Sequence, residues 1–287
     1  MEIKKVCVVG IGVMGNGITQ VSAQAGYDTS VVDLSDEILQ RGLGNITKSL
    51  SKFVEKGKLT EEEMEEVVGR IKPTTDLKEG AKDADFVIEA VFERSDAKKE
   101  VFKELDEICP PDTILASNTS TIPISLLGSA TKRPEKVMGT HFMNPVPLMR
   151  GVEMIRSLAT SENTLNTSLE FIQSLGKETA VVKDSPGFVT NRLMPLILNE
   201  AAKMYEEGLS TVEDADKIVR LSFNWPMGPF QLFDLIGIDT ICDVLEAVYT
   251  ETGWERYKPA PIIRRMVEVG WTGRKAKKGF YEYTGWW

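Results

Sequence analysis

The stretch Lys4-Lys5-Val6-Cys7-Val8-Val9-Gly10-Ile11-Gly12-Val13-Met14-Gly15 decides how the chain begins to fold. A short β-branched apolar run enters a G-x-G-x-x-G turn, and an amphipathic segment from Ile18 to Ala25 follows. The three glycines act differently. Gly10 permits the tight turn, Gly12 lets the backbone approach a pyrophosphate, and Gly15 lets helix and strand pack closely. The helix start presents unbonded N–H groups and a partial positive charge to the phosphates. The next run, Thr29-Ser30-Val31-Val32, ends in Asp33, at the distance where an acid holds a ribose 2′-OH and repels a 2′-phosphate. The spacing points to NAD over NADP, with FAD a smaller rival. The bland alternative is a plain βαβ turn in which Asp33 caps a helix.

Outward from that turn, strand and helix patterns alternate. A long helical stretch, Ile38 to Glu55, precedes Gly57, and Thr60 with Glu63 forms a capping box for a second helix, Glu61 to Val68. This helical pair, about residues 36–69, is longer than a compact crossover requires. Strand patterns resume at Ile71 to Thr75, Phe86 to Ile88, Thr113 to Ala116, Lys136 to Thr140, Val152 to Ile155 and Thr179 to Val182. Helical patterns run from Lys98 to Ile108 and Thr164 to Leu175. Such alternation predicts an α/β domain with a doubly wound, mostly parallel Rossmann-type sheet carrying a helical-pair insertion. Ligands of such sheets sit outside the C-terminal strand ends, where Gly10, Asp33, Glu93 and Ser117 to Ser120 fall. After Asp184-Ser185-Pro186-Gly187 the strand pattern disappears, and helical periodicity continues to Val269. The chain is therefore read as residues 1–184, a dinucleotide-binding domain, and residues 185–287, an all-α domain.

With 287 residues, 42% hydrophobic and 27% charged, the composition is that of an ordinary globular protein large enough for two domains. A net charge of −9 argues against nucleic acid as the main partner. No apolar run approaches the roughly 20 residues that span a bilayer. The N-terminus enters a strand at once, leaving no room for a signal peptide. Cys7, Cys109 and Cys242 are scattered without ligand spacing, so neither disulfides nor a metal site is expected and a cytoplasmic chain is.

His141 is the one histidine. It ends a predicted strand and leads into Phe142-Met143-Asn144-Pro145-Val146-Pro147. Imidazole suits proton transfer near neutral pH, so His141 is the candidate base, against the alternative of a structural histidine at a strand end. Glu153 interrupts the apolar run Gly151-Val152-Glu153-Met154-Ile155. If the intervening loop returns the chain beside the previous strand, Glu153 can orient the ring and stabilise the imidazolium. Otherwise it faces solvent on an edge strand. Ser120 and Asn191 are further polar candidates, Asn191 equally a local turn residue. Lys48, Lys52 and Lys56 share one helix face with Ser49, a stripe that on its own reads first as a solvated face.

Taken together these motifs resemble the 3-hydroxyacyl-CoA dehydrogenases, and among them the bacterial 3-hydroxybutyryl-CoA dehydrogenases. The match runs from Val6 to about Tyr283. It rests on the glycine turn, Ile88-Glu89-Ala90-Val91-Phe92-Glu93, Ser117-Asn118-Thr119-Ser120, and His141-Phe142-Met143-Asn144-Pro145-Val146-Pro147. It continues in Asp184-Ser185-Pro186-Gly187-Phe188-Val189-Thr190-Asn191-Arg192, Met227-Gly228-Pro229-Phe230, Gly273-Arg274-Lys275 and Gly279-Phe280-Tyr281. The resemblance implies that His141 takes the proton of a 3-hydroxyl while C3 gives hydride to NAD, with Glu153 as its partner. Ser120 and Asn191 would hold the reacting oxygen or position the acyl group, with Ser117 nearby. It assigns the cofactor to Gly10, Gly12, Gly15, Asp33, Glu93, Lys98, Ser120, Asn144 and Lys275. It makes the helical pair a CoA-binding arm with Ser49, Lys52 and Lys56 as contacts, and the helical domain a homodimerisation surface.

Some positions depart from the family pattern. Thr121 follows Ser120 where a small Ser or Ala is usual, and Trp225 replaces a His before Pro-Met-Gly-Pro. Met143 and Leu148 to Gly151 alter the stretch after His141, and Arg150 there could pair with a distal carboxylate on the acyl group or simply lie on the surface. Two other functions are weighed against the implied one. A dehydrogenase of a free 3-hydroxy acid or sugar acid would not need the lysine stripe. A non-catalytic NAD-binding protein would not need His141, Glu153, Ser120 and Asn191 together.

Overall fold

The computed structural model describes residues 2–284 and divides the chain into two compact units, Met1–Ser185 and Pro186–Trp287. The first opens with β1 (Lys5–Val9), α1 (Val13–Gln24), β2 (Asp28–Val32), α2 (Asp36–Glu55), α3 (Glu61–Gly69) and β3 (Ile71–Thr74). It continues through α4 (Leu77–Ala81), β4 (Phe86–Glu89), α5 (Ser95–Ile108), β5 (Ile114–Ser117) and α6 (Ile124–Gly128). It closes with β6 (Val137–Phe142), β7 (Gly151–Arg156), α7 (Glu162–Ser174) and β8 (Glu178–Lys183). The eight strands form one sheet in the order β3-β2-β1-β4-β5-β6-β7-β8.

Every neighbouring pair is parallel except β6 and β7. The exception follows from the connection: residues 143–150 are too few for a parallel crossover, which takes about a dozen residues or more. Strands β4 and β5 sit mid-sheet and are buried at every position, which is why they read as unbroken apolar runs ending in one polar residue. Pro73 stands on the edge strand β3, where its missing N–H costs no ladder bond. The core includes Val8, Ile18, Phe86, Ile88 and Met138, together with Leu39, Ile46 and Leu50 of α2. Gly42 brings α2 onto the glycine turn, since a Cβ there would lie 2.6 Å from the Ile11 side chain. Thr60 and Glu63 make the reciprocal capping box that starts α3. Burial pushes the Cys7 and Cys109 thiols up to about 12, making them packing groups rather than nucleophiles.

The second unit contains α8 (Thr190–Glu206), α9 (Val212–Phe223), α10 (Pro229–Ile236), α11 (Ile238–Thr252) and α12 (Pro261–Glu268). Leu198, Phe233, Ile241, Leu245, Tyr257 and Ile263 are among its core. Two buried aspartates organise it. Asp216 accepts from the Phe230 and Gln231 amides and the Tyr281 hydroxyl. Asp234 accepts from the Phe280 and Tyr281 amides and the Tyr283 hydroxyl. A Cβ on Gly279 would lie 2.0 Å from the Asp234 carboxylate, and one on Gly228 would lie 2.4 Å from Asp216. The late glycine motifs thus serve the packing of this unit. Among the described residues no helix is long and apolar enough to cross a membrane.

Candidate active site

The C-terminal ends of β1, β2, β4, β5 and β6 gather the polar residues of the first unit. At the first of these ends Gly10 has φ +96, and a Cβ there would meet the Ala90 carbonyl oxygen at 2.7 Å, so only glycine fits the turn. A Cβ on Gly15 would lie 1.7 Å from the Gly10 carbonyl oxygen, which fixes how closely α1 follows the strand. Gly12 is the opposite case: nothing lies within 4 Å of its missing side chain, and no side chain caps α1. That open N-terminus is the shape a pyrophosphate fills. Asp33 accepts the Ile11 amide at 2.8 Å through one oxygen and the Leu34 amide at 2.7 Å through the other. It therefore holds the glycine turn and stands beside it at the end of β2, where a ribose would sit.

At the ends of β4 and β5 a buried network fastens the turn that carries Ser120. Glu89 lies wholly buried and accepts from the Val91 amide, from Lys98 at 2.6 Å and from the Ser117 hydroxyl at 2.6 Å. Burial pushes the Glu89 carboxyl above the usual range despite the adjacent Lys98. Glu93 takes the Thr119 hydroxyl at 2.6 Å, the Ser120 amide at 2.8 Å and the Thr121 amide at 3.0 Å. Burial alone would raise its carboxyl, but the Lys98 ammonium and these donors outweigh it and hold Glu93 below the usual range. Thr121, a departure from the family pattern, adds its own hydroxyl to Glu93 at 3.1 Å.

Lys98 is only 1% exposed, and its Nζ meets Glu89, the Val91 carbonyl and Glu93, matching the three donors of an ammonium. Its ammonium thereby holds Glu93 in place. Ser117, expected near the reacting centre, has a fully buried hydroxyl that donates to Glu89 and accepts from the Thr119 amide. Both bonds make Ser117 a support of the turn. Ser120, one residue past the buried section, is part-exposed, and its hydroxyl lies 3.2 Å from Glu93.

The antiparallel register of β6 and β7 sets His141 directly opposite Glu153. Their side chains meet on one face of the sheet, Nδ1 to Oε2 at 2.8 Å, with His141 7% and Glu153 5% exposed. A carboxylate can only accept, so Nδ1 carries the proton and Nε2 is left as the acceptor nitrogen. Asn118 anchors the strand end by accepting the Phe142 amide at 2.9 Å. Asn144 is exposed in the following loop.

Beside this loop lies a cavity of about 420 Å³. Lys48, Ser49, Lys52 and Lys56 of the helical pair face Pro145, Pro147 and Leu148 across it. Asn45 and the pair Lys58 and Phe53, in cation–π contact at 5.8 Å, complete the lining on the arm side, and nothing in the sequence pattern alone singles them out. Arg150 points elsewhere and pairs with Glu178 on the surface. Asp184 accepts the Ile124 and Ser125 amides, so the acid of the Asp-Ser-Pro-Gly motif is the N-terminal cap of α6. On the helical unit Asn191 lies in the first turn of α8, and Lys275 pairs with Asp239 at 2.5 Å.

Fold and site together define a two-unit, dinucleotide-dependent dehydrogenase with a histidine–carboxylate pair. The chain belongs to the 3-hydroxyacyl-CoA dehydrogenase family: residues 5–185 match the family's NAD binding domain and residues 187–283 its C-terminal domain. A probable 3-hydroxybutyryl-CoA dehydrogenase of Bacillus subtilis (strain 168) is 46% identical over 283 residues, covering 99% of this chain and 98% of that one. The crystal structure of (S)-3-hydroxybutyryl-CoA dehydrogenase PaaH1 from Ralstonia eutropha superposes with a TM-score of 0.95 at 41% identity, covering 99% and 100% of the two chains. That of FadB2 from M. tuberculosis gives a TM-score of 0.97 at 43% identity with the same coverage. The cofactor is NAD.

Proposed function

We propose that this NAD-dependent 3-hydroxyacyl-CoA dehydrogenase acts on short acyl chains, 3-hydroxybutyryl-CoA above all, with His141 as its acid–base residue. The relatives named as 3-hydroxybutyryl-CoA dehydrogenases, at 42–48% identity over nearly the whole chain, support the short chain. The observation that carries the mechanism is the buried His141–Glu153 pair, held by strand register at a sheet edge that also bears the glycine turn.

Oxidising a secondary alcohol removes a proton from oxygen and a hydride from carbon. Bound NAD supplies the hydride acceptor. His141 Nε2 takes the hydroxyl proton, which prevents a protonated ketone from building up, and in the reverse direction the imidazolium returns it. Glu153 keeps Nδ1 protonated, orients the ring and offsets the positive charge that forms on it. Ser120 hydrogen-bonds the reacting oxygen, its position set by Glu93. Asp33, accepting from the ribose, disfavours a 2′-phosphate and so selects NAD over NADP.

The cavity under the helical pair takes the CoA nucleotide. Ammonium groups of Lys48, Lys52 and Lys56 suit its phosphates, and the proline-lined wall opposite suits a flat base. A homodimer is proposed from the helical unit, where Val189 at the N-cap of α8 and Leu193 and Ile197 within it recur every four residues and stay exposed, as do Ile218, Leu221 and Phe223 of α9.

The test is NADH oxidation with acetoacetyl-CoA, repeated with longer 3-ketoacyl-CoA chains and with free acetoacetate. Greatest kcat/KM with acetoacetyl-CoA is expected. A preference for long chains would overturn the substrate assignment, and equal turnover of the free acid would remove the role of the lysine cavity. Light scattering at micromolar concentration should give a dimer; a monomer would refute it.

A further inference from the structure

Lys177 joins α7 to β8, just after Gly176, and is 8% exposed. A lysine so deeply buried ordinarily pairs with a carboxylate. Here the Nζ donates to the Val146 carbonyl at 2.5 Å and the Met149 carbonyl at 2.8 Å, and among the described residues no carboxylate lies within ion-pair distance of it. Burial alone pushes its pKa down. A charge buried without an acid to offset it is justified only by what it holds in place.

What it holds is the loop after His141. The two accepting carbonyls bracket Pro147 and Leu148, which with Pro145 form the apolar wall of the lysine cavity. On its inner side the loop is seated on α1: Val146 is buried, and a Cβ on Gly17 would come within 2.8 Å of the Val146 Cβ. At its end the Glu178 amide donates to the Arg150 carbonyl at 2.9 Å, and the Arg150 and Glu178 side chains form an ion pair. Lys177 does not line the cavity itself. It braces the wall from behind, satisfying two carbonyls that would otherwise have to turn toward water.

We propose that Lys177 is a positioning residue for CoA, setting the wall against which the nucleotide docks and so the preference for a full CoA thioester over a truncated one. The proposal rests on the reading of the lysine cavity as the nucleotide site. Lys52 and Lys56 contribute charge on one side, and Lys177 contributes shape on the other.

The experiment compares KM for acetoacetyl-CoA with KM for acetoacetyl-pantetheine, which lacks the nucleotide, at saturating NADH. Lys177→Met keeps the length of the side chain and removes its donors. By releasing the wall it should raise KM for the CoA thioester about tenfold, equivalent to about 1.4 kcal/mol of nucleotide binding, and collapse the ratio of the two KM values toward one. Lys177→Arg, which can still donate to both carbonyls, should restore most of the ratio. Should Lys177→Met not fold, Lys177→Gln takes its place, because its shorter amide cannot reach both carbonyls; the same fall in the ratio is required. An unchanged ratio, or an equal rise of both KM values, overturns the proposal and leaves Lys177 a purely structural brace. The double substitution Lys52→Ala with Lys56→Ala is measured in parallel. If it leaves the ratio untouched, the cavity reading itself fails; if it lowers the ratio while the Lys177 variants do not, only the Lys177 proposal fails.

Discussion

Replacing Glu153 by Gln tests whether His141 and Glu153 work as one unit. The substitution keeps the shape of the side chain and an oxygen that can accept from Nδ1, so the ring can stay in place. It removes the charge facing the imidazolium that forms during turnover. Two unit charges about 4 Å apart interact by about 1 kcal/mol in water and about 4 kcal/mol at an effective dielectric constant near 20. His141 and Glu153 are 7% and 5% exposed, which places the pair toward the larger value. The expected loss in kcat is therefore about 10²–10³-fold, at about 1.4 kcal/mol per tenfold. His141→Gln removes the base itself and should cost about 10²–10⁴-fold. The double variant should be little worse than His141→Gln alone, because a charge that stabilises an imidazolium has nothing to act on once the imidazole is gone. The assay is the initial rate of NADH oxidation with saturating acetoacetyl-CoA, with thermal unfolding of each variant to confirm the fold. Independent, multiplicative losses would mean that Glu153 acts elsewhere, and near-normal kcat in His141→Gln would falsify the assignment of the base.

Asp33→Ala should raise the NADH KM by about ten- to a hundredfold, the range for a charged hydrogen bond, and narrow the gap to NADPH; steady-state kinetics with both cofactors checks it. Lys52→Ala with Lys56→Ala should raise KM for acetoacetyl-CoA roughly five- to tenfold and flatten its dependence on salt while leaving NADH binding intact, a result read from KM at several ionic strengths. Gly279→Ala forces a methyl group against the Asp234 carboxylate and should destabilise the helical unit by about 2 kcal/mol or more, measurable by urea unfolding. Because Glu93 is held below the usual carboxylate range, its contribution is present above the unfolded value of about 4.3 and lost as pH falls through its lower folded value. Protection of the Ser120 and Thr121 amides, measured as exchange relative to an unstructured amide at the same pH, should therefore persist at pH 5 and fall only in stronger acid; a fall already near pH 5 would contradict it.

Local pattern carried much of this protein. A β-branched run, a glycine turn and a correctly spaced acid identify the dinucleotide unit because each depends on neighbours within about thirty residues. Period and caps likewise placed α2 and α3, where the Thr60 and Glu63 box is a contact between residues three apart. Pro226-Met227-Gly228-Pro229 has the composition of a helix break, whereas Pro229 is the first residue of α10, the position where its missing N–H costs nothing. The aromatic run after Phe223 could equally be core or interface in sequence; packing splits it, burying Phe230 and Phe233 and leaving Phe223 and Leu235 exposed.

The choice of bonding partner for each buried polar group was decided only by tertiary structure. Glu153 could face solvent or His141 until the short 143–150 connection made β7 run antiparallel and set the two in register. Ser117 stood beside Ser120 in the chain, yet β5 turns its hydroxyl inward to Glu89. Lys177 carried no signal at all, since its partners are backbone carbonyls about thirty residues away. Periodicity records which side of a segment is apolar. It holds no information about which distant donor or acceptor will meet a buried charge, and that pairing separates the supports of this site from the groups that face its substrate.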